Sequence, residues 1–152
     1  MTSEQFDAYL QSAVRDYAEA HLKAGDCEPD DALPKAQADY AELLPEGART
    51  KHQHLFVLHD DALGRDIGML WFAFKQGVEP PKAAYLFDLQ IDPELRGKGY
   101  GRQALASFEQ LARDMGARKV ALNVFGWNRP ARALYEKAGY QVTGIGMRKA
   151  LA

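Results

Sequence analysis

Apolar side chains recur at helical spacing at the start of the chain. Phe6, Tyr9, Leu10, Ala13, Val14 and Tyr17 form one stripe, with Glu4, Asp7, Gln11, Arg15 and Glu19 between them. This predicts an amphipathic helix over 3–23, capped by Thr2 or Ser3 and stopped near Gly25. A second helical stretch follows Pro34, with Ala38, Ala41, Leu43 and Leu44, and Pro45-Glu46-Gly47 ends it. The period then shortens. Runs at 54–58 and 67–74 are apolar and aromatic, joined by the hairpin connection 60–66, and 84–91 is a third strand after the Pro80-Pro81 loop. Ala104, Leu105, Phe108, Leu111, Ala112 and Met115 return to helical spacing before Gly116. A strand over 120–125 follows, then a short helix capped by Asn128 with Gly139 past its end, then an extended segment over 140–151. The order αα-βββ-α-β-α-β describes a mixed sheet covered by helices.

The chain has 152 residues, 47% of them apolar, which makes one domain's worth of core. We therefore expect a single domain over 1–152. Nineteen Lys and Arg balance 21 Asp and Glu for a net charge of −2, so there is no global positive field for nucleic acid. One cysteine, Cys27, forbids an intramolecular disulfide and leaves a metal cage short of thiolates. His52, His54 and His59 lack a defined ligand set, so no metal is expected. No apolar run approaches the ~20 residues of a membrane span. The acidic N-terminus, with Glu4 and Asp7, does not read as a signal peptide. The expectation is a cytoplasmic protein.

Chemistry concentrates in the loop Asp92-Pro93-Glu94-Leu95-Arg96-Gly97-Lys98-Gly99-Tyr100-Gly101-Arg102. Three glycines at alternate positions let backbone approach a ligand closely. The helix that starts there points unpaired N–H groups and the positive end of its dipole at the loop. Arg96, Lys98 and Arg102 add cations. The arrangement suits an anion such as a pyrophosphate, and it also fits a solvated glycine-rich turn. It is neither a Walker A loop nor the dinucleotide fingerprint, because its spacing is G-x-G-x-G.

Twenty-seven residues past Gly101 begins Asn128-Arg129-Pro130-Ala131-Arg132-Ala133-Leu134-Tyr135-Glu136-Lys137-Ala138-Gly139-Tyr140. Together with the R-x-x-G-x-G loop of Arg96, Gly99 and Gly101, this resembles the GNAT superfamily of N-acetyltransferases, from about Tyr85 to Lys149. The resemblance implies an α/β (α+β) fold with a mixed, mostly antiparallel sheet splayed at the cofactor cleft and flanked by helices. It also implies acetyl-CoA as acyl donor and direct transfer to a primary amine of a small molecule or protein. Pantetheine would add to the strand end Leu89, Gln90 and Ile91. The pyrophosphate would rest on the amides of Gly97, Lys98, Gly99, Tyr100, Gly101 and Arg102, with Arg96 and Asn128 also toward the cofactor. Tyr135 falls where many members place the acid that protonates the departing thiolate, and it also fits a core aromatic.

A proton acceptor is harder to assign. An amine of pKa about 10 is only ~0.1% neutral at pH 7, so its proton must go somewhere before attack. Where some members carry a Glu five residues before the asparagine, this chain has Asn123; where others carry one earlier on the cofactor strand, it has Tyr85. Asp88 keeps the second acid of the pair found in polyamine-type members. It is a candidate base or ammonium ligand, or else a structural partner, and a water chain would serve equally. Trp71, Phe72, Phe74, Phe125 and Trp127 read as core, with one or two free to line an acceptor pocket. A covalent route through Cys27 lacks a partner base. The acidic run Asp26, Glu28, Asp30 and Asp31 fits a solvated loop or an attractor of amines.

The chain departs from the family by opening on a helix rather than a strand, and by leaving only 12 residues after Tyr140. The final strand is then single, or a partner chain completes the sheet, which makes a homodimer reasonable. The rival reading is a non-catalytic acyl-CoA-binding module.

Overall fold

The structure, a computed structural model, describes residues 1–74 and 83–151. The Pro80-Pro81 loop expected from the sequence lies outside the described residues. Helix α1, Ser3–Ala24, starts with a capping box. Thr2 Oγ1 accepts from the Gln5 amide at 3.2 Å, and Gln5 Oε1 accepts from the Thr2 amide at 2.8 Å. Gly25, with φ of 71°, closes the helix in the left-handed conformation.

Helix α2, Pro29–Leu43, begins at Pro29, ahead of the expected start after Pro34. Pro29 takes the first helical position, where its missing N–H costs nothing, and Asp30 and Asp31 suit the positive end of the dipole. Pro34 sits inside the helix, and buried Ala32 and Ala36 hold the turns on either side of it.

Strands β1 (Gln53–Asp60), β2 (Arg65–Phe74) and β3 (Ala83–Ile91) form an antiparallel meander, and β4 (Lys119–Leu122) lies parallel to β3. Helix α3, Tyr100–Asp114, and helix α4, Arg129–Lys137, complete the order. The central strand β2 is buried on both faces. Met69 and Trp71 pack beneath α1 and α2, while Leu70 and Phe72 meet Leu105, Phe108 and Ala112 of α3. Phe72 and Phe108 are fully buried with ring centroids 5.1 Å apart. Removing such a ring from water is worth about 1.5–3 kcal/mol. The core assignment of Trp71 and Phe72, made from strand alternation, agrees with this.

Two features of β3 shape the cleft beside it. Trp71 pairs with Asp88 while the next residue, Phe72, pairs with Leu86, so Phe87 is an extra residue, a β-bulge. The parallel pairing with β4 then stops at Leu86 and Leu122, although β3 continues to Ile91. The sheet opens there.

The expected strand over 120–125 ends early for the same reason. Phe125 turns its ring edge-on to His21 at 5.1 Å, and Trp127 donates from Nε1 to the Ala20 carbonyl at 3.4 Å. Packing on α1 overrides the apolar alternation. The final segment, 140–151, forms neither helix nor strand. It is held at Arg148, which donates to the Gly25 carbonyl and to Asp26.

Candidate active site

Beyond the end of β3 the chain makes a short 3₁₀ turn, Pro93–Leu95, before α3. Several contacts pin this entry. The Asp92 amide donates to the Ile67 carbonyl at 2.8 Å, and Arg65 of β2 bridges Asp92 and Glu94 at 3.2 and 3.0 Å. Arg96 donates from Nε back to the Ile91 carbonyl at 3.0 Å, so its guanidinium braces the strand end. Gly97 and Gly99 adopt φ of 73° and 90°, a region that L side chains rarely enter. A Cβ built on either would meet no protein atom within 4 Å, so the space over the loop is open. Gly99 is the N-cap of α3 and offers no side chain, and among the described residues no side chain accepts from the first-turn amides of Tyr100, Gly101 and Arg102. Such a loop can take an anion. Gly101 faces α4: a Cβ there would stand 3.3 Å from Leu134 Cδ2.

The end of β3 that has lost its β4 partner carries a carboxylate, Asp88. Asp88 lies on the α1 side of β3, opposite in face to Leu89, which packs with the α3-side core. Its Oδ2 accepts from Tyr9 Oη at 2.7 Å and from Gln90 Nε2 at 2.9 Å. Protein surrounds it closely, yet the residue is only half-buried and keeps an open side. Burial pushes its carboxyl above the ordinary value, the donors from Tyr9 and Gln90 pull the other way, and the Asp16 charge adds to the rise. Tyr135 of α4 is raised by burial first and by the Asp88 charge second, so the two groups share one electrostatic neighbourhood. The Tyr135 ring also packs on the α3-side core, 5.7 Å from Tyr140. Asn128 caps α4 by accepting from the Ala131 amide at 3.3 Å.

Rings rim the α1 side of the opening. Phe87, exposed by the bulge, stacks on Trp71 at 4.5 Å and meets Tyr85 edge-on at 4.9 Å. Phe125 and Trp127 stack at 5.8 Å on the far side. On that far side a groove of about 660 Å³ runs between β4, α4 and the C-terminal segment, with Asn123 and Tyr135 among its walls.

The other sequence candidates stand apart. His54 stacks on Phe72 at 4.9 Å, and His59 pairs with Asp66 at 2.9 Å. Among the described residues no group of His, Cys, Asp and Glu is arranged to hold a metal ion, and no helix is long and apolar enough to cross a membrane. Cys27 packs against the α1–α2 core. Asp26 is engaged with His21 and Arg148, while Asp30 and Asp31 fill the first turn of α2. The sequence pattern did not reveal Tyr9 and the side chain of Gln90 as partners of Asp88. A tyrosine on the apolar stripe of α1 was the available signal, because a buried phenol needs a hydrogen-bond partner.

A family model described as the acetyltransferase (GNAT) family matches residues 10–140. The chain belongs to this GNAT family. It is 41% identical over 152 residues to the uncharacterized N-acetyltransferase YycN of Bacillus subtilis, covering 99% of this chain and 96% of that one. It is 32% identical over 151 residues to another uncharacterized N-acetyltransferase of that organism, YdgE, covering 99% and 95%. The crystal structure of YycN superposes with a TM-score of 0.94 over 100% of this chain and 96% of that one, at 39% identity. AAC(6')-Iy, solved in complex with the bisubstrate analog CoA-S-monomethyl-acetylneamine, shares the fold at a TM-score of 0.54 and 20% identity, over 92% and 93%. This GNAT chain is accordingly an acetyltransferase, and the relatives that span its whole length are named N-acetyltransferases.

Proposed function

We propose that this single-domain GNAT protein transfers an acetyl group from acetyl-CoA to a primary amine by direct attack. The observation that carries this is the uncapped, open glycine loop placed where the β3–β4 pairing has stopped. Gly97 to Arg102 hold the pyrophosphate by backbone amides, with Lys98 and Arg102 adding charge. The free edge of Leu89, Gln90 and Ile91 takes the pantetheine and polarises the thioester carbonyl. Asn128 keeps the start of α4 in place at the cleft.

Acetyl-CoA supplies an activated acyl carbon, and the chain supplies position and proton handling. Asp88 takes one proton from the ammonium, leaving a neutral amine to form the C–N bond as the C–S bond breaks. Tyr135 gives its phenolic proton to the departing sulfur, and the second nitrogen proton replaces it through solvent. A phenol at or above pKa 10 donating to a thiolate of pKa about 8.5 is a modest acid, so positioning does most of the work. The exposed rings at the mouth favour a cationic acceptor, since aromatic faces attract cations.

The test is thermal unfolding with acetyl-CoA, CoA and ATP, followed by CoA release with spermidine, L-lysine, an aminoglycoside and a peptide with a free N-terminus. At about 100 times Kd a ligand adds ~2.7 kcal/mol, which raises Tm by roughly 5–10 °C for a chain of this size. We expect that rise with acetyl-CoA and CoA and not with ATP, and turnover of at least one amine. Binding without any turnover would leave an acyl-CoA-binding module. No rise would remove the cofactor assignment.

A further inference from the structure

Two neutral side chains donate to Asp88, and both arrive at the same oxygen, while the Leu89 backbone N–H also favours the charged form. Tyr9 Oη comes from α1, 79 residues away in sequence, and Gln90 Nε2 comes from two residues along the same strand. Among the described residues no side chain donates to Oδ1. Tyr9 is itself fixed: its residue is 7% exposed, and it is packed with Phe6, Ala13 and Tyr40 in the α1–α2 core. A carboxylate gripped by one oxygen cannot rotate without breaking both bonds, so its second oxygen keeps a set direction.

We infer that Tyr9 and Gln90 are positioning residues that anchor Asp88 by Oδ2 and leave Oδ1 to meet the acceptor's ammonium. The inference rests on the proposed proton-accepting role of Asp88. It adds what makes that role workable at a half-buried site. The ionised carboxylate is opposed there by burial and by Asp16 of α1, with Tyr40 of α2 and Tyr135 of α4 as neutral phenols nearby. Two hydrogen bonds given to the charged form offset part of that opposition. Tyr9 stays a donor, because burial and the adjoining Asp88 charge push its own ionisation far above the working range. In the proton transfer an N–H bond breaks and an O–H bond forms at Oδ1, and the donors at Oδ2 are undisturbed.

The experiment is a carboxyl-carbon NMR titration of Asp88 in the full chain, compared with Tyr9→Phe and with Gln90→Leu. Each substitution removes one donor from the ionised form, so the midpoint is expected to rise by about one pH unit or more in each. Gln90→Leu keeps the test open if Tyr9→Phe fails to fold. In CoA release with the amine that turns over, the acidic limb of the kcat profile should shift upward by the same amount. Midpoints that coincide with the parent protein would make Tyr9 and Gln90 structural only. Asp88→Asn separates the two layers. Full turnover in that variant removes the proton-accepting role and this inference with it. Lost turnover beside unmoved titrations overturns the inference alone.

Discussion

An ionised carboxylate held inside a fold is a cost to stability, and Asp88 illustrates this at the scale of one residue. Its carboxyl is held above the ordinary value, chiefly by burial. An acid whose native pKa exceeds its unfolded value of about 3.9 favours folding only while protonated. Stability falls as pH rises through the unfolded value, and the loss is complete above the native one. At neutral pH the charged form therefore works against the native state. Asp88→Asn removes the charge while keeping an oxygen for Tyr9 and Gln90. We expect its Tm at pH 7 to match or exceed that of the parent, with CoA release lowered at least tenfold. Melting curves at pH 7 and pH 4 check it, because the advantage of the variant should shrink at pH 4. A large drop in Tm at pH 7 would mean that the ionised carboxylate stabilises the fold.

At the scale of elements, β3, the strand proposed to take the cofactor, depends on a glycine in its neighbour. Gly68 of β2 pairs with Ile91, and a Cβ there would lie 2.0 Å from the Gln90 carbonyl oxygen. No rotamer relieves a clash with backbone. Gly68→Ala must push β2 and β3 apart at the point where β3 meets the loop. Overpacking of this kind costs about 1–3 kcal/mol, which lowers Tm by several degrees in a chain this long. The acetyl-CoA-induced rise should shrink as well, since Leu89 to Ile91 move with the strand. Paired melts with and without acetyl-CoA test both, and an unchanged Tm would mean that the strands separate freely here.

Elements encoded by local signals were legible: α1 with Thr2 and Gly25, the glycine loop with the helix it opens, and α4 behind Asn128. Pro34 reads as the start of α2, but it is carried inside a helix that Pro29 opens and that Ala32 and Ala36 bury against α1. Val124 and Phe125 carry a strand pattern, but Phe125 is drawn off to His21. The bulge at Phe87 leaves no mark in a run that reads as continuous alternation. For the site, the loop was visible because its residues are contiguous. The bond from Tyr9 to Asp88 joins two distant segments, so no local pattern could show it.

At the scale of the whole molecule, α1 spans the two arms of the cleft. Its first half holds Asp88 through Tyr9. Its last turn carries the segment after β4, with Lys23 over the Trp127 ring at 4.1 Å, and Gly25 and Asp26 just past that turn take the C-terminal segment through Arg148. That second attachment is polar and exposed, so pH and salt act on it more than on the core. Arg148 and His21 hold the Asp26 carboxyl below its ordinary value. The contribution of Asp26 is therefore present above about pH 3.9 and is lost as pH falls through the lower native value. We expect Arg148→Ala to lower the backbone NMR order parameters of 141–149 near neutral pH, while those of β2 stay high and Tm changes little. The parent protein should reach the same local mobility only below about pH 4. Mobility at 141–149 that ignores both the substitution and the acid would mean that Arg148 does not tether the segment. The edge beyond β4 would then be held by the packing of Tyr140 on Tyr135.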